Sequence, residues 1–239
     1  MVRIKNAADF KYHLYISSSK LEMLYQQIAA SGKEKKSIEW GFDWKAIKFT
    51  RKSESEDQPD ADDELKTVLQ ELEAAELVGT VAEPKEYVKG ILPMKWGLFR
   101  DWGRPTDEPP LVYFGGRTET TVFGFGGSSR HVIGNAGASA TGSRSVTPNL
   151  VAHLLDGLGM PLEGWRADRE QTGENDSDTY EAIALATDNL KGPEQNLEFC
   201  AKTLLSGEFV DRTAITKVLL GSPLYVALAS PYPDDFSNY

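Results

Sequence analysis

The sequence predicts an α/β or α+β protein: a mixed central sheet with flanking helices in one main domain. Segments with a two-residue apolar period are intermixed with segments of helical period, and the middle of the chain contains strand-like segments alone. The chain has 239 residues, of which 40% are hydrophobic. A chain of this size can bury a substantial core without a metal or a disulfide.

The N-terminal segment predicts a strand followed by a helix. Tyr12, Leu14 and Ile16 alternate with other residues, which is the period of a strand with one buried face. The three serines at 17–19 can cap a helix, and its apolar residues recur at helical spacing until Gly32, a residue favoured just beyond a helix end.

The next segments predict a strand, an acidic loop and a second helix. Residues 44–49 alternate as in a strand exposed on one face. Residues 51–63 are polar and acidic without apolar periodicity, and we interpret them as a mobile loop. An apolar stripe beginning at Leu65 then predicts a helix that ends around Gly79.

The middle of the chain predicts β structure. Residues 87–99 can hold one strand, interrupted at Pro93. Residues 111–114 and 121–125 predict a hairpin, with residues 115–118 as its turn.

The last part of the chain predicts a long loop and four further elements. Residues 126–145 are rich in Gly, Ser and Ala, and therefore predict a loop that is either functional or mobile. Alternation over residues 180–187 predicts a strand, and Pro193 opens a helix predicted to extend to Leu205. Two short apolar segments, 218–220 and 224–228, favour strands.

Composition bounds the compartment and the partners. One unpaired cysteine, Cys200, fits a reducing cytoplasm, and its surroundings indicate a small buried hydrophobe on a helix. No apolar run approaches the length of a membrane helix, and the first ten residues lack the apolar core of a signal peptide. A net charge of -10 disfavours nucleic acid as a partner, although the first fifty residues are basic. The sequence has no zinc or calcium pattern and predicts no cofactor.

The first candidate site is the junction of the first strand and the first helix. Ser17, Ser18 and Lys20 lie where helix N–H groups are unpaired and the helix dipole is positive. These hydroxyls and the lysine can hold an anion or a phosphate. Simple serine capping explains the same residues.

The second candidate site is the start of the glycine-rich segment. Gly126 and Gly127 allow a backbone to approach a ligand closely, and Arg130 suits a phosphate or carboxylate. His131 could act as a base or a hydrogen-bond donor, with Ser128 or Ser129 beside it as a nucleophile. The alternative is a plain glycine-rich loop. The set of predicted ligand-binding residues is Ser17, Ser18, Lys20, Gly126, Gly127, Ser128, Ser129, Arg130 and His131.

Three segments together carry a resemblance to a family. Residues 13–24 (HLYISSSKLEML), 125–128 (FGGS) and 222–228 (SPLYVAL) resemble an uncharacterised bacterial family of unknown function whose members have a similar length. The resemblance brings no established activity and no catalytic residues. It does imply a connection with bacterial conflict or defence gene neighbourhoods.

Three functions follow as hypotheses. The first is a non-catalytic accessory protein that binds a small anionic or nucleotide-type molecule where the two candidate segments converge at strand ends. The second is an assembly component that pairs with itself or with a protein partner. The third is a hydrolase that uses a Ser/His pair, His131 with Ser128 or Ser129.

Overall fold

The computed structural model describes residues 11–31, 61–99, 111–134, 176–211 and 214–229. Within these ranges the protein is an α+β protein with seven strands and three α-helices. The strands are β1 (Tyr12–Ile16), β2 (Val78–Gly79), β3 (Tyr87–Phe99), β4 (Leu111–Arg117), β5 (Thr121–Ser128), β6 (Gln195–Asp211) and β7 (Ala214–Leu228), and the helices are α1 (Ser18–Ser31), α2 (Ala61–Ala74) and α3 (Asp176–Asp188).

Five of the strands pair in a closed ring. β3 pairs with β4, β4 with β5, β5 with β7, β7 with β6, and β6 returns to β3. The β5–β7 pair is parallel and the other four pairs are antiparallel. β1 adds to β7 antiparallel, and β2 adds to β3 parallel. The mixed sheet predicted from the sequence is therefore confirmed.

Alternate side chains of the ring strands form the main core. In β4 these are Val112 and Phe114, and in β5 they are Phe123 and Phe125, as a two-residue period requires. The rings of Phe125 and Phe199 lie 4.6 Å apart. The whole cluster contains Tyr15, Val81, Val88, Met94, Val112, Phe114, Phe123, Phe125, Leu197, Phe199, Ala201, Leu219 and Val226.

The opposite face of the same strands packs against α3. Leu111 and Tyr113 of β4 and Leu220 of β7 form a second cluster with Ile183 and Leu190. Burial at positions 180, 183, 184 and 187 follows the helical period. α3 therefore covers one outer face of the ring.

Helices α1 and α2 form a separate compact unit, residues 18–76, and residues 1–17 and 77–239 form the other. Within the helical unit α1 contacts α2, and both carry buried apolar residues, among them Leu21 and Val68. Partial burial and the charge of Glu22 raise the pKa of the Glu64 carboxyl. The prediction of one domain stays a prediction.

Two elements predicted from the sequence are wrong in type. The segment 180–187 belongs to α3, because its alanines favour a helix and its larger side chains recur at helical spacing. The segment 193–205 belongs mostly to β6, because Leu197, Phe199 and Ala201 alternate into the core between two partner strands. Cys200 is buried as expected, but it lies in this strand.

Several boundaries also differ. Gly115 and Gly116 continue β4, so the turn falls at Thr118–Thr121, where the Thr118 N–H donates to the Thr121 carbonyl. β3 passes through Pro93 unbroken: Pro93 is paired with Asn196 of β6, and the pairing passes to β4 from Lys95 onward.

Other boundaries shift by a few residues. α2 starts at Ala61, inside the segment predicted as an acidic loop, and ends at Ala74, and Gly79 lies in β2. The two late strands are one strand, β7. The predictions for 44–49, 51–60 and 135–145 fall outside the described residues.

Candidate functional site

The carboxyl end of β1 lies between β7 and the segment that follows β5. On one side Ile16 is paired with Tyr225, and on the other Tyr15 forms an isolated antiparallel bridge with Val132. The Ile133 N–H donates to the Leu14 carbonyl at 2.9 Å. Because the two segments run antiparallel, the carboxyl end of β1 lies near the turn that follows β5.

A one-residue bulge in β1 sets the face on which Tyr15 lies. His13 is opposite Ala227 and Tyr15 is opposite Val226, which leaves Leu14 as the extra residue. Directly opposed residues share a face, so Tyr15 joins Val226 in the core of the ring. Tyr15 is 0% exposed, although strict alternation from His13 places it on the other face.

The turn after β5 is a short 3₁₀ helix, Ser129–His131. The Ser128 hydroxyl caps it by accepting from the Arg130 N–H at 3.4 Å, and the Val132 N–H donates to the Ser129 carbonyl at 3.1 Å. Ser129 is fully buried, whereas Arg130 and His131 are half-buried. The turn therefore presents a guanidinium and an imidazole at the end of the ring.

The hydroxyls of Tyr15 and Ser17 form a buried pair. Burial raises the pKa of the Tyr15 hydroxyl well above its usual value, and the neighbouring Ser17 hydroxyl offsets part of that rise. Neither hydroxyl has a hydrogen-bond partner in the described part of the chain, so the two are buried neighbours without full hydrogen bonding. Tyr15 stays protonated at neutral pH, so the pair keeps an O–H to donate.

Tyr15 also connects the pair to the turn. Its ring meets the His131 ring edge to face, with centroids 5.8 Å apart. Its hydroxyl lies over Gly127, where an added Cβ would come within 2.4 Å of that oxygen. Next to it the Ser222 hydroxyl donates to the Gly126 carbonyl at 3.2 Å. The close approach of the Tyr15 hydroxyl therefore requires a glycine at position 127.

The structure brings together most of the predicted site residues. Ser17 and the segment Gly126–His131 lie at one end of the ring, in one unit. Ser18 and Lys20 lie in the first turn of α1, in the helical unit, where Ser18 is exposed and burial lowers the pKa of Lys20 to about 8.

Sequence reasoning missed Tyr15 and Ser222. The apolar alternation of β1 runs through Leu14 and Ile16, which puts Tyr15 on the opposite face. The signal that could have found it is Gly126-Gly127, because adjacent glycines inside a strand indicate a close approach by another group.

The site offers donors and one permanent cation to a ligand. Two hydroxyls, a guanidinium and an imidazole suit an anionic or strongly polar group. The described residues contain no group of three or more His, Cys, Asp or Glu side chains placed to hold a metal ion. The Ser128 hydroxyl is engaged by the Arg130 N–H, and the hydrolase hypothesis stays a prediction.

A second polar cluster lies at the other end of β1. The Glu198 carboxylate accepts from Lys11 Nζ at 2.6 Å and from the Tyr225 hydroxyl at 2.7 Å. Burial alone would raise the pKa of Glu198, but these two hydrogen bonds and the charges of Lys11 and Lys89 hold it below its usual value. The His13 ring packs edge to face on Tyr225. This cluster ties the start of β1 to β6 and β7.

Fold and site together define an α+β protein with a closed ring of strands and a polar end. The chain belongs to a family of unknown function, DUF7019, whose model matches residues 11–230. Neither the curated proteins nor the solved structures contain a match to it. None of the helices in the described ranges is long and apolar enough to cross a membrane.

Proposed function

We propose that this protein is a non-catalytic accessory protein that binds a small anionic or nucleotide-type molecule at the polar end of the ring. The observation that carries the proposal is the buried pair of Tyr15 and Ser17 hydroxyls beside the Ser129–His131 turn. Burying polar groups without full hydrogen bonding costs free energy, so such groups are kept where a ligand completes them.

The charge of the site favours an anion. Arg130 is half-buried and always protonated, and the protein as a whole has a net charge of -10. A positive charge at this site of a negatively charged protein therefore favours a negatively charged ligand. The tyrosine and serine hydroxyls would donate to the same ligand or to a neighbouring oxygen of it.

The sequence resemblance supplies the setting of the proposal. A bacterial defence system, the context that the resemblance implies, would need a component that responds to a small nucleotide-type molecule. We include that context in the proposal.

The test is calorimetric titration of the full chain with inorganic phosphate and with adenosine monophosphate, preceded by native mass spectrometry of the purified protein. We expect binding that Arg130→Ala weakens at least tenfold. The matched control is Arg117→Ala, which removes the same charge from the other end of β4, where Arg117 pairs with Asp188. Equal effects of the two variants, or no binding of either probe and no co-purified molecule, would contradict the proposal.

One observation favours assembly as a second function. Val210 and Ile215 are directly opposed near the end of the β6–β7 hairpin and are 68% and 73% exposed. Paired exposed aliphatic side chains are typical of contact surfaces. Light scattering over a concentration series tests it: Val210→Thr with Ile215→Thr should abolish any oligomer, and a wild-type monomer at all concentrations would exclude this surface as an interface.

A further inference from the structure

The sequence of β1 is compatible with two registers on β7. In the observed register the bulge at Leu14 places Tyr15 opposite Val226. If the register of Tyr12–Leu228 and His13–Ala227 continued without a bulge, Leu14 would lie opposite Val226 and Tyr15 opposite Tyr225. A shift of one residue moves each side chain to the other face of a sheet.

The alternative register agrees better with the sequence pattern. It would turn Leu14 and Ile16 toward the core and remove the hydroxyls of Tyr15 and Ser17 from it, which is the alternation that predicts the strand. Leu14 already packs against the core cluster, and in the alternative register it would replace the Tyr15 ring, which now contacts Phe114. A conflict between local pattern and observed structure is expected at functional sites, where the less favourable arrangement serves the function.

The two ends of β1 are held by different contacts. Before the bulge, Lys11 pairs with Glu198 and the His13 ring packs on Tyr225, and both registers preserve this half. After the bulge, the strand is held by the bridge to Val132 and by the Ile133 N–H, which follow directly on the Ser129–His131 turn. The contacts of the turn thus lie in the half of β1 whose register would change, which is also paired with Val226 and Tyr225 of β7.

We propose that β1 is a two-register switch, in which the Ser129–His131 turn and its hydrogen bond to Leu14 hold Tyr15 and Ser17 inward. Glu198 is a positioning residue that fixes the first half, so that loss of the bulge moves Tyr15 rather than Tyr12. The consequence for binding rests on the proposed function: a ligand at the turn would bind the inward register and shift the population toward it. The switch itself requires no ligand.

The experiment compares Ile133→Pro with Ile133→Ala in the full chain. Proline removes the N–H that donates to Leu14, and the preceding Val132 has the extended backbone that proline requires (φ -75°, ψ 123°). Alanine keeps the N–H, and the Ile133 side chain is 56% exposed, so either change disturbs little packing. Cross-strand nuclear Overhauser effects in the labelled protein report the register.

We expect wild type and Ile133→Ala to show the Tyr15–Val226 contact, and Ile133→Pro to show a Leu14–Val226 contact instead. A folded Ile133→Pro protein that keeps the Tyr15–Val226 contact would overturn the switch. Native-state hydrogen exchange of the wild type is a second measurement, independent of the variant. The Ser17 N–H, bonded to the Leu224 carbonyl, and the Ile133 N–H should exchange together and at least tenfold faster than amides of β6.

If both amides exchange as slowly as amides of β6, they exchange only when the whole protein unfolds, and this result would contradict the switch. Adding inorganic phosphate or adenosine monophosphate then separates the two proposals. Slower exchange of the Ser17 and Ile133 amides would support both the switch and the binding function. A register change in Ile133→Pro with no effect of either probe would support the switch and count against binding of these probes.

Discussion

Two buried tyrosines lie over glycines of the same strand, β5, and the described residues provide hydrogen bonds to the hydroxyl of one of them. Tyr113 places its hydroxyl over Gly124, and Tyr15 places its hydroxyl over Gly127. The first lies under α3 on the outer face of the ring, and the second lies in the core at the polar end. Burial is the largest cause that raises the pKa of each.

Their hydrogen bonding differs. The Tyr113 hydroxyl is 3.0 Å from the Thr187 hydroxyl and 3.5 Å from the Ile183 carbonyl, so α3 supplies a donor or acceptor on each side. Among the described residues the Tyr15 hydroxyl has no hydrogen-bond partner, and its polar neighbour is the Ser17 hydroxyl. The comparison shows that a buried tyrosine hydroxyl has a structural role where a helix supplies its hydrogen bonds. Where the described residues supply none, a buried tyrosine hydroxyl is a candidate for ligand contact.

The largest expected effect comes from filling the space over β5. In Gly124→Ala the new Cβ would lie 1.9 Å from the Tyr113 hydroxyl and 2.4 Å from the ring carbon that bears it, so the ring must move. We expect a loss of about 2–3 kcal/mol in the free energy of unfolding, measured by urea denaturation.

Gly90→Ala is the matched control in the same sheet, because its Cβ would lie 3.5 Å from the nearest atom, in Phe199. We expect it to be neutral or to stabilise by about 0.5 kcal/mol, since alanine restricts the unfolded chain. A Gly124→Ala protein as stable as Gly90→Ala would show that the tyrosine is not fixed over the glycine.

The second prediction compares the two phenols directly. Tyr113→Phe should destabilise the protein by about 1–1.5 kcal/mol, because the Thr187 hydroxyl loses a buried partner. Tyr15→Phe should change stability by less than about 0.5 kcal/mol, because little hydrogen bonding is lost there, and it should weaken binding of a ligand at the polar end.

Urea denaturation gives the free energy of unfolding of each variant, and titration with the probes that bind the wild type gives the affinity of each variant. If Tyr15→Phe destabilises as much as Tyr113→Phe, the Tyr15 hydroxyl is a structural group and the asymmetry between the two tyrosines disappears.

Much of the fold could be predicted from the sequence because local pattern and tertiary structure agree there. β1, α1 and the strands β4 and β5 follow from the apolar period, although the turn between β4 and β5 lies later than its glycines predict. The prediction for the segment containing Ile183 was wrong because its alanines fit both periods. The prediction for β6 was wrong because pairing with β3 and with β7 overrides a preceding proline and a helical spacing.

The site could be predicted in part for a related reason. Gly126, Gly127 and Arg130 are visible as a chemically unusual run, and Ser17 as a cap. The face of Tyr15 could not be predicted from β1 itself, because a bulge at Leu14 reverses it and β1 carries no local signal for a bulge; Gly126-Gly127 indicates only that some group approaches closely. The partnering of buried hydroxyls depends on residues far apart in the chain, which a single sequence does not reveal.

The third prediction extends the comparison to a carboxylate that the fold does satisfy. Two hydrogen bonds hold the pKa of Glu198 below its ordinary value of 4.5, so its stabilising contribution is complete above pH 4.5 and is lost as the pH falls through the folded-state pKa. Glu198→Gln should cost roughly 1 kcal/mol at pH 7 and flatten the fall in stability below pH 4.5. Unfolding measured from pH 3 to 7 tests this.

The matched control for that series is Glu208→Gln, which removes a carboxylate from an exposed position of the same strand. A Glu198→Gln profile that runs parallel to the wild-type profile would mean that the two hydrogen bonds contribute equally to the folded protein with the carboxyl protonated or ionised.

The smallest effect is expected where solvent completes the polar groups. Arg117 makes two hydrogen bonds of 2.9 Å to Asp188, but both side chains are well exposed. Asp188 ends α3, where a negative charge is unfavourable to the helix dipole, so Asp188→Asn removes an attraction and a repulsion together. We expect it to change the free energy of unfolding by less than about 0.5 kcal/mol. Arg117→Gln leaves the aspartate uncompensated and should destabilise by about 0.5–1 kcal/mol.

The sign of the difference between these two variants is the test, and urea denaturation at low and high salt measures it. If solvent completes both groups, added salt should shrink the difference, because screening weakens the ion pair and the dipole effect alike. If Asp188→Asn lowers the free energy of unfolding more than Arg117→Gln does, the exposed ion pair is as strongly coupled as the buried hydroxyls of Tyr113 and Thr187. Exposure alone would then not distinguish groups that the fold must satisfy from groups that water can satisfy.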